Sequence, residues 1–369
     1  MMKLKVIGTV LFVTSFIAAC TPPLPPEVLA GQAESTINCE VANTIVDGPA
    51  ELETNFFLMS DSLAAVCPEH QVTYSVGDPN AQVIITDHTP TQAEIDILNT
   101  RCPTSEVLVS PAYGIPATLA LQVTGLEGLA LDAQAIGGLL NGTITNWNDP
   151  VIQKLNPDFV LDSVPVIKLG STQKSSAVLA MTTWANEVGR SQLPPSDTIR
   201  GDQNFPTLYD MAAEMFNIEG SFGIVPLGTA IINGLNVANM VVNNGDILVP
   251  EPVYTMRGIA TAEINRTNPN QMIASIGFGG KVNEELSDPL IDPSNFKSGW
   301  PAVGVAHVMA CESGSDNGAL PFARFVIRGE GQGALETSGY ARLPLPIRLK
   351  AILALKTPLS PELLEQIPD

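Results

Sequence analysis

Positive charge is scarce in this chain. Its 18 Lys and Arg residues stand against 38 Asp and Glu, for a formal net charge of −20. Nucleic acids and anionic lipid surfaces are met by clustered Lys and Arg, so this balance excludes both as partners. It does not exclude a small anion, which local donors inside a cleft can hold. Only 3 histidines are present, and none has metal-ligand spacing. No two cysteines form a C-x-x-C pair, which excludes zinc and dithiol redox chemistry. There is no Walker loop and no nucleophile elbow, so no catalytic set is read, no metal or cofactor is called for, and the chain is not read as an enzyme. No internal repeat appears. Beyond the first 20 residues no apolar run is long enough to span a bilayer.

What is present describes a globular protein. The chain has 369 residues, 45% hydrophobic and 15% charged, enough for two domains and a large core. Its start reads as a secretory signal over residues 1–19: Lys3 and Lys5 precede a short apolar run, and Ala18 and Ala19 precede Cys20. The run Ile17-Ala18-Ala19-Cys20 resembles a bacterial lipobox, which makes Cys20 the lipidated first residue of the mature chain. Residues 20–36, rich in Pro and polar groups, read as an extended tether. Four cysteines remain: Cys39, Cys67, Cys102 and Cys311. An exported compartment permits disulfides. One or two bridges are expected, with Cys39 or Cys67 joining Cys102, although four cysteines allow three pairings.

Along the chain, strand patterns alternate with helical ones, which indicates a parallel α/β architecture. Strands are expected at 37–46, 70–75, 82–86, 107–110 and 221–226. Helices are expected at 51–66, 91–100 (with Thr91 and Glu94 as a capping box), 132–140 and 207–216. Residues 251–300 carry no clear pattern. Two apolar strands, near 115 and 305, are expected to cross between lobes. That places residues 37–113 with 302–369 in a discontinuous first lobe and 114–301 in a second, with a ligand cleft between them.

The stretch 140–182 carries the chemistry. A Trp-Asn-Asp-Pro loop opens a helix, an extended run follows at 164–169, and Gly170 to Ser176 then lead into a second helix. A strand followed by small hydroxyl residues and a helix N-terminus is a cradle for a small oxyanion. Trp147 and Asp149 read as scaffold, an aromatic anchor and a helix cap before Pro150. Asp87 ends a strand. A carboxylate only accepts, so Asp87 suits the remaining proton of hydrogen phosphate and repels sulfate. Its neighbour His88 is expected to point away from it.

Three segments resemble the substrate-binding lipoproteins of bacterial phosphate ABC transporters. NGTITNWNDPVIQKLNP is similar to that family's Gly-Lys-Ile-Thr-Asn-Trp-Asn-Asp-Pro…Leu-Asn-Pro signature. GSFGIVPLGTAIINGL is similar to its Gly-Ser-Ile-Gly-Tyr-Val-Glu…Asn-Gly-Leu segment. SGYARLPLPIRLKAI, preceded by Gly331-Gln332, is similar to its C-terminal Gly-Tyr-x-x-Leu-Pro segment. The resemblance covers residues 80–240 and 300–355. It implies the two-lobed type II periplasmic-binding fold, extracytoplasmic attachment to a bacterial membrane through Cys20, and capture of phosphate or a related oxyanion for ABC permease subunits.

The anion-binding motif departs from the family. Where relatives carry Arg followed by Asp-Gly-Ser-Gly-Thr, this chain has Lys168 to Ser176, with Lys168 in the Arg place and Ser171 in the Asp place. Thr86-Asp87 matches the family's Ser-Asp pair. Asp47-Gly48-Pro49-Ala50 stands where its N-terminal Gly-rich loop belongs, and Gly77 to Asn80 replace a second loop. The implied ligand set is Thr86, Asp87, Lys168, Ser171, Thr172, Ser175 and Ser176. Lys174 reads as a surface lysine. The departures also admit another oxyanion, or a chain of this fold that has lost phosphate binding and serves as an envelope interaction protein.

Overall fold

The structure is a computed structural model that describes residues 25–34, 39–102, 106–242, 245–279, 281–365 and 367. The signal segment and Cys20 lie outside the described residues. Strands β1 (Ala42–Asp47), β2 (His70–Tyr74) and β3 (Val83–Thr86) run parallel, joined through helices α2 (Glu53–Val66) and, after β3, α3 (Gln92–Arg101). α1 (Pro26–Ala33) precedes them. β4 (Val107–Gln122) follows, then β5 (Ala130–Asp132), α4 (Ala133–Asn141), α5 (Pro150–Leu155), β6 (Ile167–Ser171), α6 (Ser176–Glu187), β7 (Gln203–Phe205), α7 (Leu208–Met215), β8 (Ser221–Pro226) and α8 (Leu227–Ile232). Short strands β9 (Asn236–Val237), β10 (Asn239–Val241) and β11 (Ile247–Leu248) come next. Then come α9 (Pro252–Ile259), β12 (Ile264–Asn268), β13 (Gln271–Ala274), β14 (Gly277–Phe278) and β15 (Ala302–Cys311). Helices α10 (Ala319–Val326), α11 (Gly329–Glu336), α12 (Leu345–Ala354) and α13 (Pro361–Leu364) close the chain.

The main sheet runs β2-β1-β3-β15-β4-β8-β6-β7. β4 is its spine. Residues Val107 to Pro116 pair antiparallel with β15, and Ala117 to Gln122 pair antiparallel with β8. The sequence pattern suggests two strands here, because Pro111 and Gly114 interrupt it. The structure has one strand of 16 residues. A register shift opposite Ala306 and His307 leaves Ala112 as an extra residue, and this bulge admits Pro111 into an otherwise continuous ladder. β4 is buried on both faces from Val107 to Leu121, so no polar alternation marks its length.

Caps were the most readable local feature. Thr91 and Glu94 form the capping box of α3, Asp132 accepts from Ala135 N at the start of α4, and Asp149 accepts from Val151 N before Pro150 opens α5. Each satisfies a backbone N–H that the helix leaves without an internal partner. Residues 251–300, unassigned from pattern, hold α9 and three short strands.

Two expectations are corrected. Part of the segment read as an extended tether is helix α1. It starts at Pro26 and buries Leu29, Ala30 and Ala33, and Arg348 and Arg328 both bond Glu34 at its end. Apolar burial there outweighs the extended preference of the flanking prolines. The cysteines pair as Cys39–Cys67 and Cys102–Cys311, not with Cys102 joined to Cys39 or Cys67. The ladder decides this: β15 pairs with the start of β4 and ends at Cys311, beside the end of α3 where Cys102 lies.

Candidate functional site

The site forms where β3 ends, α2 begins and α6 begins. β1 ends at Asp47, and Gly48-Pro49 lead into a single 3-10 turn, Ala50–Leu52. Gly48 permits a close approach, since a Cβ there would lie 2.7 Å from the Ile85 carbonyl oxygen. Tyr74 Oη donates to the Pro49 carbonyl at 2.6 Å, and Asp47 Oδ1 accepts from Gly77 N at 2.7 Å. This loop delivers Glu51, which is only 6% exposed, and then Asn55 on α2.

β3 delivers Thr86 and Asp87, both buried. Thr86 Oγ1 donates to the His88 carbonyl at 2.7 Å, a local turn bond. Asp87 is clamped from the other side. Its carbonyl accepts from both the backbone N and the hydroxyl of Ser176. Its carboxylate meets His88 Nδ1 at 3.0 Å, while His88 Nε2 faces Glu94 Oε1 at 2.8 Å. Asp87 and His88 thus turn to the same side, contrary to the strand-based expectation, because β3 stops at Thr86 and the chain bends at both residues. With a carboxylate on each ring nitrogen, both nitrogens donate and the ring is an imidazolium. Burial opposes that charge, yet the bonds from Asp87 and Glu94 outweigh it and push the His88 pKa up to about 10.

The second carboxylate behaves oppositely. Burial first, and then the charge of Asp87, push the Glu51 pKa up to about 8. Gln173 Nε2 donates to Glu51 Oε1, and Gln173 Oε1 accepts from Leu208 N at 3.0 Å, so Gln173 ties the start of α7 to Glu51. Behind them, Tyr113 on β4 and Tyr340 stack edge to face with centroids 5.5 Å apart, and Asn55 lies near both phenols. Burial drives both phenols up, so they stay protonated.

Several atoms of this cluster have no partner. Asp87 Oδ2, both amide atoms of Asn55 and Tyr113 Oη are buried without a hydrogen bond. Their residues are 2%, 1% and 0% exposed. A buried polar atom left unpaired costs about 1–3 kcal/mol, so such a group converging on one place marks a site for a polar ligand.

The sequence-derived ligand set divides. Thr86, Asp87, Ser175 and Ser176 come together where β3 meets the start of α6. Ser175 caps α6 by accepting from Ala177 N at 3.2 Å, which leaves its own proton available. Ser171 and Thr172 donate to the Pro206 carbonyl, at 3.5 and 3.4 Å; Ser171 is buried and also accepts from Gln173 N at 3.1 Å, and Thr172 is exposed. Lys168 does not reach the cluster, because its Nζ donates to the Leu140 carbonyl at 2.8 Å. Lys174 is exposed and pairs with Asp197 at 3.9 Å. Among the described residues, neither Glu51 nor Asp87 forms an ion pair with Lys or Arg; the cation on Asp87 is His88. Glu51, Asn55, Tyr113 and Gln173 were not in the sequence-derived set. The one available signal was the position of Glu51 directly after the Asp47-Gly48-Pro49-Ala50 loop. No group of His, Cys, Asp and Glu among the described residues could hold a metal ion.

The chain is similar in fold and in sequence to known phosphate-binding proteins. The chain superposes on a high-affinity periplasmic phosphate-binding protein, PfluDING, solved with phosphate bound, with a TM-score of 0.59 and 13% identity over 84% of this chain and 93% of that one. The fold is that of the periplasmic phosphate-binding proteins. A putative phosphate ABC transporter substrate-binding protein from Clostridium perfringens, also with bound phosphate, shares the two-lobed phosphate-binding-protein fold at a TM-score of 0.52 and 9% identity, over 82% and 99% of the chains. In sequence, phosphate-binding protein PstS 3 of Mycobacterium tuberculosis is 22% identical over 354 residues, 88% of each chain. Phosphate-binding protein PstS 2 of the same organism is 26% identical over 262 residues, which span only 66% of each chain. No protein-family profile matches the chain. The resemblance read from the three sequence segments is borne out by these relatives and by the fold.

Proposed function

We propose that this chain is an extracytoplasmic solute-binding lipoprotein that captures inorganic phosphate and hands it to an ABC permease. One observation carries the reading: the buried, unpartnered Oδ2 of Asp87 stands where a strand end meets the start of α6, beside the unpartnered Asn55 amide and Tyr113 hydroxyl. An acceptor among neutral donors suits an oxyanion that still carries a proton, and it disfavours sulfate, which carries none at neutral pH. The phosphate-binding relatives support the same ligand.

In this reading the lobes are residues 37–113 with 302–369, and 114–301, and they close on the anion between them. The leader over residues 1–19 and the lipobox-like run at Cys20 support export and lipid attachment. No described helix is long and apolar enough to cross a membrane. The chain then performs no reaction and releases its ligand unchanged.

A second reading, a protein of this fold that has lost phosphate binding and serves in envelope interactions, draws on the placement of Lys168 against Leu140. Isothermal titration of the purified full-length chain separates the two. Saturable heat with phosphate and none with sulfate is the expected result. No heat and no thermal shift at millimolar phosphate would remove the phosphate reading and leave the fold untouched.

A further inference from the structure

The charges around Asp87 pose a problem for any anion. Asp87 pairs with His88, and His88 is shared with Glu94. Lys168 and Lys174 are engaged elsewhere. Were Glu51 ionised, two buried carboxyl groups would face the ligand with one shared imidazolium to offset them. Coulomb repulsion of that kind, in a site largely closed to water, would exclude an anion. In its acid form the same group loses its charge and gains an O–H donor.

We propose that Glu51 is a ligand of the bound anion, acting in its acid form as a hydrogen-bond donor, so that the site accepts phosphate only while Glu51 holds its proton. The proposal rests on the phosphate reading above and names the residue that sets which form is taken. The geometry carries it. Glu51 is 6% exposed, follows the loop from β1, and is met on Oε1 by Gln173 from the turn between β6 and α6. The groups facing it are Asp87 and His88 from the end of β3, Tyr74 from β2 and Tyr340 from the segment before α12. The phenols are neutral, so Asp87 and His88 are the charges that act on Glu51. With the Glu51 pKa pushed up to about 8 by burial and by Asp87, the donor form prevails at neutral pH. The ligand must bring a proton for Asp87 and take one hydrogen bond from Glu51. Hydrogen phosphate meets both requirements, with one proton for Asp87 and three further oxygens that accept.

The test is titration of inorganic phosphate into the full-length chain from pH 6 to pH 9, with Glu51→Gln and Glu51→Ala beside the wild type. Gln supplies an N–H donor at every pH and no charge, so the affinity of Glu51→Gln should change from pH 6 to pH 9 only as the ionisation of phosphate itself dictates. By pH 9 the wild type should have lost about tenfold more affinity than Glu51→Gln, the factor expected for one group titrating near pH 8. The comparison with Glu51→Gln removes the ionisation of phosphate itself, which is common to both. Glu51→Ala, with no donor, should bind more weakly than Glu51→Gln at pH 6. Parallel profiles for wild type and Glu51→Gln would overturn the proposal. So would binding by Glu51→Gln alone, which would make Glu51 a plug. No binding by any variant at any pH would instead sink the phosphate reading, and this inference with it. Should Glu51→Gln not fold, an infrared difference spectrum of the wild type with and without phosphate at pH 7 decides. A protonated-carboxyl band that shifts on binding supports the proposal, and its absence overturns it.

Discussion

The indole nitrogen of Trp147 donates to the Gly220 carbonyl at 2.9 Å. This bond joins the Trp-Asn-Asp-Pro signature to the start of the Gly-Ser-Phe-Gly segment, two stretches 73 residues apart. Trp147 is fully buried and sits edge to face on Phe222, with centroids 6.3 Å apart. The signature is therefore scaffold. Trp147→Phe keeps much of the packing and removes one of two donors to the Gly220 carbonyl, which keeps its bond from Ile167 N at 3.0 Å. It should cost about 0.5–1.5 kcal/mol in denaturant unfolding. Phosphate affinity of the folded fraction should be unchanged, and a large affinity loss would place Trp147 in the ligand site.

Asp87→Asn tests the acceptor. The carbonyl clamp from Ser176 uses backbone and survives the change, so the turn should keep its shape. The variant should lose at least about tenfold in phosphate affinity, the effect of one charge-assisted hydrogen bond. It should also lose discrimination against sulfate, because the repelling charge is gone. Competition titration with both anions reads the two effects separately.

Gly304→Ala tests the contact between β15 and α6. A Cβ there would lie 2.8 Å from the backbone carbon of Ser176 and 2.9 Å from Ala177 N. Backbone cannot yield as a side-chain tip can, so α6 must shift away from Asp87. A cost of about 1–3 kcal/mol in stability is expected from overpacking of this kind, with weaker phosphate binding by titration. A variant as stable and as tight as wild type would show that the helix start is not held there.

Stability should be highest on the acid side of neutral pH and fall toward both extremes. His307 is fully buried. Its Nε2 accepts from Ala274 N at 3.0 Å and its Nδ1 lies 3.1 Å from the Val305 carbonyl, so it is neutral with its proton on Nδ1. Burial pushes its pKa down to about 3. Its contribution is present above pH 6.5 and is lost as pH falls toward that value. His88 has the opposite sign. With its pKa pushed up to about 10, its contribution is full below pH 6.5 and is lost as pH rises through 10. Glu51, raised to about 8, contributes fully below pH 4.5 and loses that contribution as pH rises to 8, which offsets the His307 trend between pH 4.5 and 6.5. Denaturant unfolding at acid, neutral and alkaline pH should show this dome. His88→Gln should flatten its alkaline limb.

Local chemistry was legible wherever one residue satisfies its own neighbourhood. Thr91, Asp132 and Asp149 cap their helices through partners two or three residues away, and the anchor role of Trp147 follows from its motif. The site was half legible. Asp87 and Ser176, both in the ligand set that the resemblance implies, meet through the Asp87 backbone carbonyl. Lys168 does not join them, because the Leu140 carbonyl 28 residues earlier takes its ammonium. Glu51 went unread because its partner Gln173 lies 122 residues away, and its place after the Asp47–Ala50 loop is the one local mark it carries. β4 was split in two because its bulge is defined only by β15, far along the chain.

β4 changes partner between Pro116 and Ala117: Pro116 lies opposite Val303 on β15, and Ala117 opposite Pro226 on β8. The two halves of the sheet therefore share a backbone at that peptide and almost no rungs of ladder. A rotation of one half against the other reaches the far side as twist along one buried strand, in the manner of a torsion bar. Tyr113 lies on that strand three residues before the change of partner, so any twist of one half against the other would be felt at the site's phenol.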